Sequence, residues 1–95
     1  MDKDLKKETE AEAVSRFAEL MVAKLLKRKE KYREFGWRDP NYKSVASLYR
    51  HLMNEIEEWK RAETTEEEMS ELIDVANTAF MLHDRLRLEQ TKDTI

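Results

Sequence analysis

Two pairs of carboxylates carry the clearest chemical signal in this chain. Glu55-x-x-Glu58 is followed, after twelve residues, by Glu71-x-x-Asp74. On a helix, acids three positions apart project from one side. Between the pairs, Ala62-Glu63-Thr64-Thr65-Glu66 reads as the end of one helix and the cap of the next. Glu58 and Glu71 are symmetric about the Thr64–Thr65 bond, and so are Glu55 and Asp74. If the helices fold back there as a hairpin, Glu58 faces Glu71 about 10 Å from the bend, at about 1.5 Å of rise per residue. Glu55 then faces Asp74 one turn further out. Four carboxylates held that close repel one another as the local dielectric falls. Without a cation, some of them must take up protons. A hard divalent ion with oxygen ligands resolves the conflict, and Mg²⁺ is the natural candidate, with Mn²⁺ also fitting. A ferritin-like di-iron site competes poorly, because it uses Glu-x-x-His and neither His51 nor His83 has a Glu three residues before it. A single Glu-x-x-Glu arises easily in so charged a chain. The symmetry of two pairs, both beside apolar stripes, singles these out.

The elements that must position the pairs are all helical. Ninety-five residues make one domain with a modest core, and a single Gly and a single Pro among abundant Ala, Leu, Glu, Lys and Arg predict an all-α chain. Residues 1–8 are polar and expected to be flexible, residues 9–88 form the domain, and residues 89–95 read as a flexible tail. A first helix is predicted from about Thr9 to Phe35, with Val14, Phe17, Ala18, Met21, Val22, Leu25 and Leu26 as its apolar face. Gly36-Trp37-Arg38-Asp39-Pro40-Asn41 breaks it, with Gly36 suited to a helix C-cap. Trp37 in that loop either staples neighbouring helices or stacks on a nucleobase. The second helix runs from Ser44 as N-cap to about Ala62, with Val45, Leu48, Leu52, Ile56 and Trp59 inward. His51, Glu55 and Glu58 share its shoulder. Thr65-Glu66-Glu67-Glu68 is read as a capping box opening a third helix that ends near Leu88. Leu72, Val75, Ala76, Ala79, Leu82 and Leu86 make that helix's main stripe. Met69, Ile73 and Phe80 widen it enough to suggest burial against a second subunit.

Charge is distributed unevenly. Arg16 to Arg38 holds eight basic and three acidic side chains, a net +5, whereas Glu55 to Asp74 holds two basic and nine acidic, a net −7. Two solvated faces that pair would explain this, and so would a site that holds a polyanion through metal ions. Lys24, Arg28 and Lys31 line up on one strip of the first helix. The absence of cysteine excludes thiol chemistry and zinc thiolate sites. No apolar run approaches the ~20 residues of a membrane span, and no signal-peptide core is present. The expectation is a cytoplasmic protein with no membrane partner, and the acidic total disfavours nucleic acid.

The two carboxylate pairs, the string Glu71-Leu72-Ile73-Asp74-Val75-Ala76-Asn77 with Met81-Leu82 behind it, and Lys24-Leu25, Lys31 and Gly36-Trp37 ahead together resemble the MazG-like all-α nucleoside triphosphate pyrophosphohydrolases. The likeness covers roughly residues 17–84. It implies an antiparallel bundle of three to four helices completed by oligomerisation, as a homodimer or homotetramer. It also implies Mg²⁺ on Glu55, Glu58, Glu71 and Asp74, and hydrolysis of an NTP to NMP and pyrophosphate, in house-cleaning of the nucleotide pool. Glu58, with Glu55 second, would orient or deprotonate the attacking water. Lys24, Lys31 and either Arg28 or Arg38 would contact phosphate oxygens, Trp37 the base, and Asn77 the base or sugar. The competing expectation is a non-catalytic helical interaction module with an acidic patch.

Overall fold

A computed structural model describes residues 7–29 and 34–93, and all regular structure among them is helical. Three α-helices, α1 (Glu10–Lys29), α2 (Val45–Lys60) and α3 (Thr65–Asp93), are joined by a loop containing a 3₁₀ turn, Gly36–Arg38, and by a tight turn between α2 and α3. Lys31 lies outside the described residues, as does most of the 1–8 segment.

Side-chain capping sets the helix starts. Thr9 Oγ1 accepts from the Glu12 N–H at 3.1 Å while Glu12 Oε1 accepts from the Thr9 N–H at 3.3 Å, a reciprocal capping box. Ser44 caps α2 through the Ser47 N–H. At α3 the capping residue is Thr64, not Thr65. Its Oγ1 accepts from the Glu67 N–H at 3.1 Å, and Glu67 reaches back to the Glu63 N–H at 3.0 Å. Both threonines have a Glu three residues on, so the motif alone could not choose between them.

Two helix ends differ from expectation. Phe35, placed in the first helix by its sequence pattern, has left-handed backbone at φ 53°, and no described glycine has positive φ. The left-handed residue at this break is therefore Phe35, at the start of the 3₁₀ turn, and not Gly36. The cost of roughly 1–2 kcal/mol for a side chain in that region is offset by contacts: its ring lies 5.3 Å from that of Trp37, and the Arg38 guanidinium sits 4.0 Å over its centroid. At the other end of the chain, α3 continues to Asp93 where residues 89–95 had read as a tail, with Arg85 and Glu89 paired one turn apart.

α2 and α3 form the expected antiparallel hairpin, and both α1 and the loop pack on α3. The small core is Trp37, Leu48 and Met81, with Leu25 and Leu82 against it. The buried face of α3 is rotated from its predicted stripe. Ile73, Asn77, Thr78, Met81, Asp84 and Arg85 are buried, whereas Leu72 and Leu86 are exposed. The reason is polar: Asn77, Asp84 and Arg85 are drawn inward by groups on α1 and the loop. α1 buries none of its residues, and Val14 remains 68% and Leu26 60% exposed. Its predicted inward face packs mainly on α3. The radius of gyration, 15.7 Å, exceeds the roughly 12 Å of a compact chain of this length. No described helix is long and apolar enough to cross a membrane.

Candidate functional site

α1 and α2 both rest on α3 without closing against each other, and a cleft of about 1140 Å³ lies between them. Its wall on α2 is a stripe at helical spacing: Ser47, Arg50, His51, Asn54, Glu55 and Glu58. Leu48, one and two turns before His51 and Glu55 on the adjoining strip, enters the core, so one helix supplies both the core and the site. Asp74, Asn77 and Thr78 of α3 line the cleft as well. Basic side chains stand along the remaining rim, Lys27 and Arg28 from α1 and Lys43 from the loop, beside Tyr42. The volume lies slightly above the roughly 300–1,000 Å³ usual for small-molecule sites.

Three of the four expected carboxylates converge. Glu55, Glu71 and Asp74 each offer an oxygen, and these oxygens lie within 4.8 Å of one another. Opposite oxygens are about 4.0–4.2 Å apart around Mg²⁺ and about 4.6–5.2 Å around Ca²⁺, so the three are spaced on the scale of one coordination sphere. Glu58 falls outside this close set. It is exposed on the cleft wall, its side chain within hydrogen-bond reach of Glu55 and its charge acting on Glu71.

The cluster is electrostatically frustrated. Burial, followed by the charges of Glu58, Asp74 and Glu71, pushes the Glu55 carboxyl up to about 7. Burial, then Asp74 and Glu58, raises that of Glu71, and only Lys24 opposes the shift. Glu71 Oε2 is buried without a hydrogen-bond partner. An acceptor oxygen left unsatisfied beside other carboxylates is the donor set a hard cation needs.

Lys24 is where the strip of α1 predicted it, but its ammonium faces inward. It donates to Asp74 Oδ1 at 3.1 Å and to Ser70 O and Oγ, each at 2.8 Å. Its three protons are thus committed to α3, and it acts as a counter-charge to the acidic cluster. Asn77 is 5% exposed. Its amide donates to Met21 O at 3.2 Å, tying α3 to α1, while Oδ1 is buried without a partner at the cleft floor.

Trp37 does not line the cleft. It is 7% exposed, packs edge-on to Phe80, and donates its indole N–H to Asp84 at 2.9 Å. Its contacts are those of a staple between the loop and α3. Arg38 is likewise spent on Asp84, at 2.7 Å. Tyr42 is the aromatic side chain that does line the cleft.

Sequence reasoning passed over several of these groups. His51 Nε2 is 3.1 Å from Glu55 Oε1, one turn away, and its pKa is lowered by burial and then by Lys43 and Arg28. The i,i+4 spacing to Glu55 was a usable signal. So were Ser47, Arg50 and Asn54, which continue the same stripe. Lys43 and Ser70 offered none, since a loop lysine and a surface-like serine gain meaning only through contacts distant in sequence. Compared with protein-family models, curated proteins and solved structures, the chain finds no match.

Proposed function

We propose that this chain is a Mg²⁺-dependent nucleoside triphosphate pyrophosphohydrolase of the MazG-like kind, converting a (d)NTP and water to (d)NMP and pyrophosphate. The observation that carries the proposal is the meeting of Glu55, Glu71 and Asp74 oxygens within 4.8 Å, in a cleft whose rim is basic. A cleft acidic at one end and basic along its rim suits a polyanion bound partly through metal and partly through side chains.

Glu55, Glu71 and Asp74 would hold Mg²⁺, or Mn²⁺ in its place. The bound ion neutralises phosphate charge and lowers the pKa of water. The chain's own groups do the rest. Glu58, beside Glu55 but outside the close set, is placed to orient the attacking water and accept its proton. His51 fixes the Glu55 carboxylate through their hydrogen bond. Lys43, Arg50 and Lys27 offer cations to phosphate oxygens, taking the part first given to Lys24. Tyr42 replaces Trp37 as the surface for a base. The water oxygen bonds to the α-phosphorus as the α–β bridging oxygen leaves with pyrophosphate, and catalysis is mainly positioning and electrostatics.

The exposed apolar side chains of α1, with Met69, Leu72, Phe80 and Leu86 of α3, support a homodimer or homotetramer, since a chain with so small a core gains by burying them. A panel of canonical and modified (d)NTPs with Mg²⁺ or Mn²⁺, read by pyrophosphate release, tests the proposal. Turnover of at least one nucleotide, lost in chelator and in Glu58→Gln, is expected. An interaction module with an acidic patch instead predicts no release from any member of the panel.

A further inference from the structure

Away from the acidic cluster, the densest set of buried polar groups joins α3 to the loop. Asp84 and Arg85 are adjacent and only 5% and 4% exposed, about 15 Å along α3 from Asp74 at ~1.5 Å per residue. Arg85 Nη1 donates to Trp37 O at 3.2 Å and also to Lys43 O. One guanidinium nitrogen thus holds both ends of the segment from Trp37 to Lys43. Nε of the same group donates to Glu89 at 2.9 Å, which balances its charge. Asp84 grips the start of the segment a second time, through the Trp37 indole and Arg38.

Stability alone does not account for a buried arginine here. Burying a charge is expensive, and apolar residues of similar volume often serve as well or better. What a planar, forked donor adds is fixed geometry. The geometry it fixes is that of Lys43, whose backbone carbonyl it holds and whose side chain stands at the basic rim of the cleft.

We propose that Arg85 is a positioning residue. By anchoring the Lys43 carbonyl it aims the Lys43 ammonium into the cleft, where that ammonium binds the phosphate chain of the ligand. The proposal rests on the cleft being the polyphosphate site argued above. Arg85 touches neither metal nor ligand. Its effect on ligand binding passes through Lys43, whereas its bonds to Trp37 O and Glu89 serve the fold.

The test is calorimetric titration of the full chain with inorganic tripolyphosphate in the presence of Mn²⁺, well below the melting temperature. Wild type, Arg85→Met, Lys43→Ala and the double variant are compared, with Mn²⁺ binding alone followed by electron paramagnetic resonance. Each single variant is expected to bind tripolyphosphate roughly tenfold more weakly, the scale of one lost charge-assisted contact, with Mn²⁺ affinity unchanged. The double variant is expected to be no weaker than Lys43→Ala, because coupled residues are not additive. Wild-type affinity in Arg85→Met, or additive losses of about a hundredfold in the double variant, overturns the positioning role and leaves the function intact. Failure of wild type to bind tripolyphosphate overturns both. If Arg85→Met does not fold, Arg85→Lys takes its place: it keeps the buried charge but loses the fork, and the same two outcomes decide.

Discussion

The described residues include two clusters of inward-facing charge, and they are opposite in character. At the loop, Asp84 accepts hydrogen bonds from Trp37, Arg38 and Arg87, and these bonds, Arg38 first, hold its carboxyl well below the usual range against the effect of burial. At the hairpin, Glu55 and Glu71 have their carboxyls pushed up by burial and then by the charges of Glu58 and Asp74, and Glu71 Oε2 has no hydrogen-bond partner. A satisfied cluster rigidifies the fold. A frustrated one persists only where something outside the chain completes it, and such sites are where function concentrates. The comparison separates architecture from chemistry within one small bundle.

The largest expected effect lies in catalysis. Glu71→Gln should lower kcat/KM for the best nucleotide by on the order of 10²–10³, the scale of lost charge stabilisation in a transition state. Its melting temperature without metal should be unchanged or slightly higher, because a repelling charge has gone. Asp84→Asn should do the reverse to stability. Removing the charge from a buried, paired network costs about 3–5 kcal/mol, a fall in melting temperature of more than about 10 °C in a domain of this size. Thermal melts of both variants are decisive: a destabilised Glu71→Gln beside an unaffected Asp84→Asn would dissolve the distinction.

A smaller effect comes from pH. The Glu55 carboxyl titrates near 7 in the fold, against an ordinary value of 4.5. Between those values the folded state binds more protons than the unfolded one, so stability is greatest below about 4.5 and declines as pH rises towards 7. The melting temperature of metal-free protein should therefore fall by a few degrees across that window through this group. On the proposed function Mg²⁺ would bind the ionised carboxylates of the folded state alone, so it should raise the melting temperature at pH 7 and flatten the decline. Melting curves at several pH values, with Mg²⁺ and with chelator, measure both. A pH dependence that Mg²⁺ leaves untouched would separate the frustrated cluster from metal binding.

The two clusters were not equally legible in the sequence. The acidic one was, because a hairpin has a symmetry centre and helical spacing places Glu55, Glu71 and Asp74 without any knowledge of distant contacts. Glu58 lies outside the close set of three, though its charge acts on both Glu55 and Glu71. The loop cluster was hidden. Asp84 and Arg85 look like surface charge on a helix whose apolar residues point elsewhere, and their burial depends on the Trp37 indole and on backbone carbonyls of Trp37 and Lys43. Backbone acceptors have no sequence signature. The rotated face of α3 follows from the same cause, since polar groups chose its buried side. The apolar pattern of α1 predicted a helix correctly but not its neighbours, because periodicity gives a face and not what covers it.

Lys24 stands between the two kinds of cluster, and it offers the finest test of the contrast. Its ammonium is a satisfied donor, bonded to Ser70 and Asp74, yet it sits against the frustrated carboxylates. As a phosphate ligand, its removal would raise KM. As a counter-charge it has the opposite effect on the metal, because a cation at Asp74 repels an incoming Mn²⁺. The Lys24–Asp74 pair is about one-third exposed on both sides, so solvent screens it and its contribution is at most about 1 kcal/mol. Lys24→Met, which keeps the apolar stem, should therefore tighten Mn²⁺ binding by no more than about fivefold. Electron paramagnetic resonance titration reads that change directly. Weaker Mn²⁺ binding in Lys24→Met would mean that the ammonium organises Asp74 for the metal more than it repels the ion, placing Lys24 with the satisfied network and not with the site's charge balance.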